Sequence, residues 1–332
     1  MKKILMLMVF VFCFVLTGCG KYGEKDLIKE LSKKINNSKG YYVSGTLEML
    51  NNNDKYIYDV NVSYSAADNF KVSLINKNNN HEQIILRNEE GVYVLTPALN
   101  KSFKFQSEWP YNNSQSYILQ NIVSDIKKEK DVKFKATKDG YVLITSVNYP
   151  SNKKLIKQKI YINKKKNITK IEVLDDNNQV NITMNFNSID LKATYNKKYF
   201  TLKENMTTSK LEEQTKTTSK IDDIIYPMYM PENTRLTGQD IIEKDDGERI
   251  ILTFDGEKPF MLVQETLSKN EELATVLVDG DPLIVADSVA AVNDYSVNWV
   301  SEGVEYYLVS SDLDSEELIS VASSIAVMPV GK

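Results

Sequence analysis

Cysteine and histidine are nearly absent from this chain, which has two cysteines and one histidine among 332 residues. His81 stands in a polar stretch of Asn, Glu and Gln, where we interpret it as a solvated residue at a loop or strand end. A lone histidine cannot form a His-rich zinc site. No Gly-x-Ser-x-Gly motif and no glycine-rich phosphate-binding loop accompanies it. Composition therefore favours a protein that is not an enzyme and that holds no metal or cofactor.

Paired carboxylates are the remaining candidates for catalysis. Asp175-Asp176 and Asp245-Asp246 lie beside Asn or Gly, a composition typical of turns. The hypothesis that the protein is an envelope hydrolase is therefore less favoured than the two non-catalytic functions given below.

The N-terminus has the pattern of an export signal. Lys2 and Lys3 precede thirteen nearly unbroken apolar residues, Ile4 to Leu16, a run too short to span a bilayer as a stable helix. It ends in Leu16-Thr17-Gly18-Cys19, which resembles the lipobox of bacterial lipoproteins. The resemblance implies that residues 1–18 are a signal peptide and that Cys19 carries a diacylglyceryl or acyl group such as palmitate. The alternative is an ordinary signal peptide with a chance cysteine.

A lipid on Cys19 would place the protein at the extracytoplasmic face of the cell membrane, since two acyl chains suffice for stable attachment. Cys13 would leave with the signal peptide, so the exported chain is expected to have no disulfide and no free thiol.

Charge divides the chain into two halves. Residues 20–208 contain 30 Lys and Arg against 20 Asp and Glu, a net charge of +10, whereas residues 209–332 contain 9 against 25, a net of −16. Residues 207–220 hold one large apolar residue and are predicted to be a linker. The predicted domains are therefore 19–206 and 221–332. The basic half is expected to meet an anionic membrane, an anionic wall polymer or the acidic half, and no nucleic acid.

The first half is predicted to be mostly β-sheet. An amphipathic helix is expected over Glu24–Ile35, because Leu27, Ile28, Leu31 and Ile35 recur at helical spacing. Short alternating segments separated by Asn-, Asp- and Gly-rich turns follow, and they predict about eleven antiparallel strands between Tyr41 and Phe186. One helix of about four turns, over Gln115–Ile126 with Asn112 or Asn113 as its N-cap, is expected to interrupt the sheet.

Three segments of this half resemble a known family: the lipobox, Tyr42–Glu48 and Phe105–Ile126, which includes Trp109-Pro110-Tyr111. They are similar to the sporulation and germination lipoproteins of the YdcC and GerS type, in the LolA-like superfamily of lipoprotein carriers. The resemblance implies an α+β, mostly β fold: an open antiparallel half-barrel of about eleven strands with two helices across it. It also implies support of spore cortex or germination by binding an N-acetylmuramoyl amidase, as GerS does. A permanently anchored protein cannot shuttle between membranes, so the fold is expected without the carriers' transport role.

The candidate site residues follow from these patterns. Tyr56, Tyr58, Val60, Val62 and Tyr64 share one strand face and are candidates for the lining of a lipid-binding cavity; the alternative is ordinary core beneath the helices. Trp109, Pro110 and Tyr111 are candidates for positioning the mid-sheet helix or for contacting a partner. Cys19 is the predicted lipidation site.

The second half is predicted to be a small α+β domain. Strands are expected over 249–254, 260–266, 282–285 and 296–300, with a hairpin turning at Gly303. Asp314 is expected to cap a helix whose inner stripe is Leu318, Val321, Ala322 and Ile325. Trp299 is interpreted as domain core. The favoured function is a non-catalytic, anchored envelope lipoprotein that supports a cell-wall amidase, and the alternative is a lipid or lipoprotein carrier.

Overall fold

The computed structural model describes residues 22–51, 54–208, 221, 223–245, 247–267 and 274–325. The predicted signal peptide, Cys19 and residues 209–220 of the predicted linker lie outside the described residues. Within them the helices are α1 (Glu24–Asn36), α2 (Leu119–Lys128), α3 (Leu202–Thr208) and α4 (Ser315–Ser323).

The first half forms one large antiparallel sheet that starts after α1. Its strands are β1 (Gly40–Asn51), β2 (Asp54–Ser65), β3 (Asn69–Asn76), β4 (Glu82–Asn88), β5 (Gly91–Thr96), β6 (Lys101–Phe105), β7 (Lys133–Thr137), β8 (Gly140–Ser146), β9 (Leu155–Asn163), β10 (Ile168–Asp175) and β11 (Val180–Asp190). The strands pair in the order β6-β5-β4-β3-β2-β1-β11-β10-β9-β8-β7, and the sheet is open. The expected open antiparallel sheet of about eleven strands with two helices across it is confirmed.

The second half contributes eight strands. They are β12 (Thr234–Lys244), β13 (Gly247–Gly256), β14 (Phe260–Thr266), β15 (Ala274–Val278), β16 (Asp281–Val285), β17 (Ser288–Val292), β18 (Ser296–Ser301) and β19 (Val304–Val309). Seven of them form a second sheet in the order β12-β13-β14-β19-β18-β17-β16. The predicted hairpin joins β18 to β19 through Glu302 and Gly303, both with positive φ.

Strand β15 belongs to the first sheet. It pairs in parallel with β6, with Ala274 opposite Lys101 and Val278 opposite Phe105, and it makes the first sheet twelve-stranded. The sequence pattern predicted neither this strand nor a strand shared between the halves. A parallel edge pairing between residues about 170 positions apart has no local turn signal. The sequence pattern therefore could not predict it.

Helix α1 follows the prediction and ends one residue later, at Asn36, with Leu27, Leu31 and Ile35 buried. Helix α2 begins at Leu119, so the predicted start at Gln115 and the predicted cap at Asn112 or Asn113 are wrong. The physical reason is Asn121, whose Nδ2 donates to the carbonyl oxygens of Pro110 (2.5 Å) and Asn113 (2.8 Å). These bonds fold the preceding segment back along the helix start.

Helices α1 and α2 pack on one face of the first sheet, which we call the covered face, with the main core beneath them. That core also contains Leu267, Ala286, Val289, Ala291 and Val300 from the second half. A smaller cluster on other strand positions joins Ile84, Leu86, Tyr93 and Leu95 to Phe200 and Met206, at and after a 3-10 turn over Lys197–Phe200. The predicted capping box of α4 is present, because Asp314 accepts from the Glu317 amide and Glu317 from the Asp314 amide.

Candidate binding sites

The predicted cavity-lining residues of β2 lie in the main core. Tyr56, Tyr58, Val60 and Val62 are buried on the covered face, and Tyr64 is half-buried and stacks on Tyr41 with ring centroids 4.9 Å apart. Their role in binding a ligand stays a prediction. Their surroundings are those of the alternative interpretation, ordinary core.

Buried hydrogen bonds join β2 and β4 to the second half. The Tyr58 hydroxyl donates to the Ala286 carbonyl oxygen at 2.6 Å. The Gln83 side-chain oxygen accepts from the Val289 amide (2.6 Å) and the Ser288 hydroxyl (3.2 Å). Such bonds fix the orientation of two packed surfaces, because breaking one leaves a buried polar group without a partner. The second half is therefore docked on the covered face.

Ion pairs between the halves follow their opposite charges. Lys101 Nζ lies 2.5 Å from Glu305 Oε2, and the two side chains are 13% and 23% exposed. Lys154 pairs with Glu316 in a more open position, where the side chains are 65% and 37% exposed. Docking of the acidic half on the basic half is thus one use of the charge asymmetry seen in the sequence.

The segment Trp109-Pro110-Tyr111 connects β6 to α2 and is anchored to β4. Arg87 donates through Nη1 to the Trp109 carbonyl oxygen (2.9 Å) and through Nη2 and Nε to the Asp68 carboxylate (2.8 and 2.9 Å). The Trp109 ring is fully buried and meets Phe70 edge-on, with centroids 6.1 Å apart. The Trp109–Pro110 peptide bond is cis.

Tyr111 is the exposed member of this connector. Its ring is 50% exposed, its hydroxyl bonds the Asp68 carboxylate, and the Arg87 guanidinium lies 5.3 Å from its centroid. Trp109 and Pro110 are buried. Of the three predicted residues, only Tyr111 therefore presents a side chain that a partner can reach, while the other two hold the connector on the sheet.

A cavity of about 390 Å³ lies between the two halves, within the range typical of small-molecule sites. Its apolar wall comes from both halves and includes Leu47, Met49, Leu155, Ile182, Leu283, Ile284 and Ile319. Its polar wall includes Gln115, Ser116, Asn152, Asn181 and the Lys154–Glu316 pair. None of the five predicted β2 residues lines it.

Two half-buried groups, one in the cavity wall and one on α2, have shifted pKa values. Burial raises the pKa of Tyr149, which lines the cavity, well above its usual range. Burial also raises the pKa of Asp125 on α2 to about 6, although the Ser114 hydroxyl and the Gln158 amide, which donates at 3.0 Å, oppose the shift. Tyr149 is therefore neutral at physiological pH, and Asp125 loses its proton at a pH just below the physiological value.

The outer face of the second sheet is a surface that the sequence analysis missed. Ile251 on β13, Val263 on β14 and Tyr307 on β19 are direct cross-strand neighbours, and so are Met261 and Val309 in the next row. Met261 and Tyr307 are 39% and 40% exposed, and the other three are half-buried. We call these five residues the apolar patch. The opposite face of this sheet packs against α4 and the main part of the second core.

Charged residues border the apolar patch in the next same-face row of the sheet, where Arg249, Glu265 and Glu305 are cross-strand neighbours. Arg249 Nε lies 2.6 Å from Glu265 Oε2, Lys244 also pairs with Glu265, and Glu305 pairs with Lys101. An apolar centre with a charged rim is the usual composition of a protein-binding surface. The sequence contains one sign of this surface. Strands β13, β14 and β19 carry apolar residues on both faces, and this pattern predicts that the second face is also covered.

His81 lies in a small pocket at the interface between the halves, together with Asp287, Ser301 and Glu302. Burial raises the pKa of Asp287, while the Ser301 hydroxyl, which bonds it at 3.0 Å, opposes the shift. Within the described ranges, no group of three or more His, Cys, Asp or Glu side chains is arranged to hold a metal ion. No helix of the described part of the chain is long and apolar enough to cross a membrane.

Comparison with known proteins identifies the family. The chain is 34% identical to the sporulation protein YdcC of Bacillus subtilis (strain 168) over 334 aligned positions, which cover 98% of both chains. The chain belongs to the YdcC family of sporulation proteins. The sequence resemblance to this family is thereby confirmed. No family model matches the chain.

Solved structures give more distant matches. A chain in the structure of the CwlD amidase from Clostridioides difficile in complex with the GerS lipoprotein matches at 21% identity, covering 53% of this chain and 98% of that chain, with a TM-score of 0.30. The MucA/MucB complex of Pseudomonas aeruginosa matches at 12% identity over 90% and 96%, with a TM-score of 0.32. A LolA superfamily protein of Nitrosomonas europaea matches at 9% identity over 54% and 98%, also at 0.32.

Proposed function

We propose that this YdcC-family chain is a membrane-anchored envelope lipoprotein that acts in sporulation by binding a partner protein, without catalysis of its own. The full-length match to a sporulation protein supports the process. The apolar patch on the second sheet is the observation that carries the binding role. The composition, with a single histidine and two cysteines near the N-terminus, supports the absence of catalysis.

The anchor in this proposal is the predicted lipid on Cys19. Its support is the sequence pattern Leu16-Thr17-Gly18-Cys19 after a short apolar run. Labelled palmitate supplied to sporulating cells is expected to enter the wild-type protein and not the Cys19→Ala variant. Unlabelled wild-type protein released in soluble form would contradict the anchor while leaving the binding role open to its own test.

The partner class in this proposal is an N-acetylmuramoyl amidase of the spore cortex. Its support is the resemblance of Phe105–Ile126, with its Trp-Pro-Tyr segment, to the GerS-type proteins. The proposed binding surface is the apolar patch. It lies on the same face of the second sheet as Val300, which is buried against the first half. Docking of the first half covers the β17–β18 side of that face and leaves the β13, β14 and β19 side open.

Co-purification from sporulating cells tests the partner and the surface together. The test variant combines Tyr307→Ser with Met261→Gln, two exposed positions of the apolar patch. The control combines Tyr226→Ser with Met228→Gln, which are residues of the same types outside the patch and are more exposed than the two patch residues. The tagged wild type and the control are expected to retain the amidase, and the test variant is expected to lose it. Equal recovery from both variants would overturn the assignment to this surface.

A second candidate function is the binding of a lipid in the cavity between the halves. The specific observation in its favour is a 390 Å³ space with an apolar wall and a polar rim that includes an ion pair. Native mass spectrometry of the protein without its own anchor is expected to show a bound fatty acid or phospholipid, and Leu283→Trp is expected to displace it by filling the space. Protein that is free of lipid after mild extraction would exclude this function.

A further inference from the structure

The first described residue lies three positions after the predicted lipidation site, and its surroundings are basic. The Tyr22 ring packs against the Tyr141 ring, with centroids 5.7 Å apart, and Lys166 Nζ lies 3.5 Å from the Tyr22 centroid. Three residues of extended chain span at most about 11 Å. A lipid on Cys19 therefore holds this part of the protein close to the membrane surface.

Tyr22 marks one end of the first sheet. Lys166 belongs to the β9–β10 turn, and Tyr141 is the second residue of β8, just after the β7–β8 turn. The two turns are adjacent, because Gly140 pairs with Asn163. At the last turn of α1, Lys34 Nζ donates to Asn167 Oδ1 at 2.6 Å. Tyr22, which lies just before α1 and bonds Glu30, and Lys34 in the last turn of α1 thus both contact the β9–β10 turn, and helix and turn form one surface beside the anchor.

Five lysines of that surface point to solvent. Lys25, Lys29 and Lys33 recur every four residues on the face of α1 opposite its buried stripe, and Lys164 and Lys165 are exposed in the β9–β10 turn. We call these five residues the basic surface. None of the five has an ion-pair partner among the described residues.

The carboxylates of α1 are mostly engaged in local bonds. Glu30 accepts from the Tyr22 hydroxyl at 2.6 Å, and Asp26 accepts from the Gly23 amide at the helix start at 3.1 Å. The three carboxylates of α1, Glu24, Asp26 and Glu30, stay charged, but none of them forms an ion pair with the lysine row among the described residues, and the five lysines outnumber them. The basic surface therefore keeps its positive charge where the anchor brings it to the bilayer.

We propose that the basic surface binds anionic lipid headgroups and sets the orientation of the anchored protein, with α1 and the β9–β10 turn toward the membrane. This inference rests on the proposed anchor at Cys19. Juxtamembrane lysines attract anionic lipids only within about one Debye length, roughly 8–10 Å. The opposite end of the same sheet, about 25 Å away along β9, is then free of the membrane, and so are the cavity and its Lys154–Glu316 pair.

A tethered assay tests the orientation without depending on lipidation in cells. The chain from Cys19 onward contains one thiol, so it can be coupled at that position to maleimide lipid in preformed vesicles. One set of vesicles contains 30% phosphatidylglycerol in phosphatidylcholine and the other contains phosphatidylcholine alone. Acetylation by a membrane-impermeant reagent, followed residue by residue by mass spectrometry, reports which lysines the membrane covers.

We expect acetylation of the basic surface to be at least fivefold slower on the anionic vesicles than on the neutral ones, and the difference to vanish in 0.5 M salt. Lys130 and Lys153, exposed at the opposite end of the sheet, are expected to react at equal rates on both. Equal rates at all lysines would overturn the proposal. Equal protection by a soluble anionic wall polymer added to neutral vesicles would also overturn it, by reassigning the surface to that polymer.

Binding without the tether gives a second readout. Each lysine near the surface contributes about fivefold in affinity for anionic vesicles. Lys29→Gln with Lys164→Gln and Lys165→Gln is therefore expected to weaken vesicle binding by about a hundredfold at low salt. The control with the same charge change, Lys130→Gln with Lys153→Gln and Lys157→Gln, is expected to bind within threefold of wild type. Equal loss from both variants would show a general charge effect and contradict an oriented surface. Failure of palmitate labelling at Cys19 with success here would reject the anchor alone.

Discussion

The hydroxyl of Tyr58 on β2 donates a 2.6 Å hydrogen bond to the carbonyl oxygen of Ala286, a residue 228 positions later in the chain. Both residues are buried in one core. A residue that sequence alone offers as cavity lining is thus part of the contact that holds the second half against the covered face of the first sheet. That contact covers the β17–β18 side of the outer face of the second sheet and leaves its β13, β14 and β19 side open.

Removing the Tyr58 hydroxyl is expected to destabilise the whole protein. Tyr58→Phe keeps the ring in place but leaves the buried Ala286 carbonyl without its donor, which costs about 1–3 kcal/mol in the free energy of unfolding. Tyr42→Phe is the matched control, because its hydroxyl bonds Asn61 within the first sheet at a half-buried position, and it is expected to cost less than about 1 kcal/mol. Urea unfolding measures both. Equal costs would mean that the contact between the halves contributes nothing special.

The two ion pairs between the halves are expected to differ in strength. Lys101–Glu305 is mostly buried, whereas Lys154–Glu316 is exposed. Double-mutant cycles with Met at the lysine and Gln at the glutamate are expected to give a coupling of about 1–2 kcal/mol for the first pair and below about 0.5 kcal/mol for the second. A larger coupling for the exposed pair would contradict the burial described here.

Arg87 is expected to be essential for holding the connector. Arg87→Gln removes bonds to both the Trp109 carbonyl and the Asp68 carboxylate, and we expect a loss of about 2–3 kcal/mol in stability. Arg249→Gln is the control, since that side chain is more exposed and its pair with Glu265 lies on the surface; its cost is expected to stay below about 1 kcal/mol. Thermal unfolding measures both variants. An equally small loss of stability in both would contradict a structural role for the bonds that Arg87 makes to the connector.

Stability is expected to depend on the protonation of Asp125. Burial raises its pKa to about 6 in the folded state, while the unfolded carboxyl ionises near pH 4. The folded state therefore binds the extra proton between about pH 4 and 6, and this contribution favours folding as the pH falls through 6 and is lost above it. Asp125→Asn is expected to be more stable than wild type by about 1–2 kcal/mol at pH 8, after solvent screening of a partly exposed group, and equal to it at pH 4.

Chemical denaturation at pH 4 and pH 8 checks that expectation. Asp139→Asn, at an exposed turn, is the control and is expected to change stability by less than about 0.5 kcal/mol at either pH. A stability difference for Asp125→Asn that is the same at both values would contradict the pKa shift.

Local patterns predicted the elements that local physics determines. The period of two along β2 and the period of 3.6 along α1 are read directly from the sequence, and so are the hairpin at Gly303 and the cap at Asp314. The predicted start of α2 was wrong because the side chain of Asn121 donates a hydrogen bond to the backbone carbonyl of Asn113, eight residues earlier in the chain. That competition between side chain and helix is tertiary and has no sequence period.

Long-range pairings decided the rest. Strand β15 has only five residues, and its partner β6 lies in the other half, so no turn or repeat signals the pairing. The apolar patch was missed for a related reason: whether the second face of β13 and β14 is covered depends on where the first half docks. Alternation shows which residues share a face, but it does not show what lies against that face.

The most direct test of the proposed partner and its binding surface is the affinity between the purified chain and the purified cortex amidase of the same cell, measured by calorimetry or interferometry. We predict saturable one-to-one binding by the wild type and by Tyr226→Ser with Met228→Gln, and at least a tenfold weaker interaction for Tyr307→Ser with Met261→Gln, whose fold is checked by circular dichroism. No binding by the wild type would contradict the proposed amidase partner, and unchanged binding by the Tyr307 and Met261 variant would contradict the apolar patch as its surface.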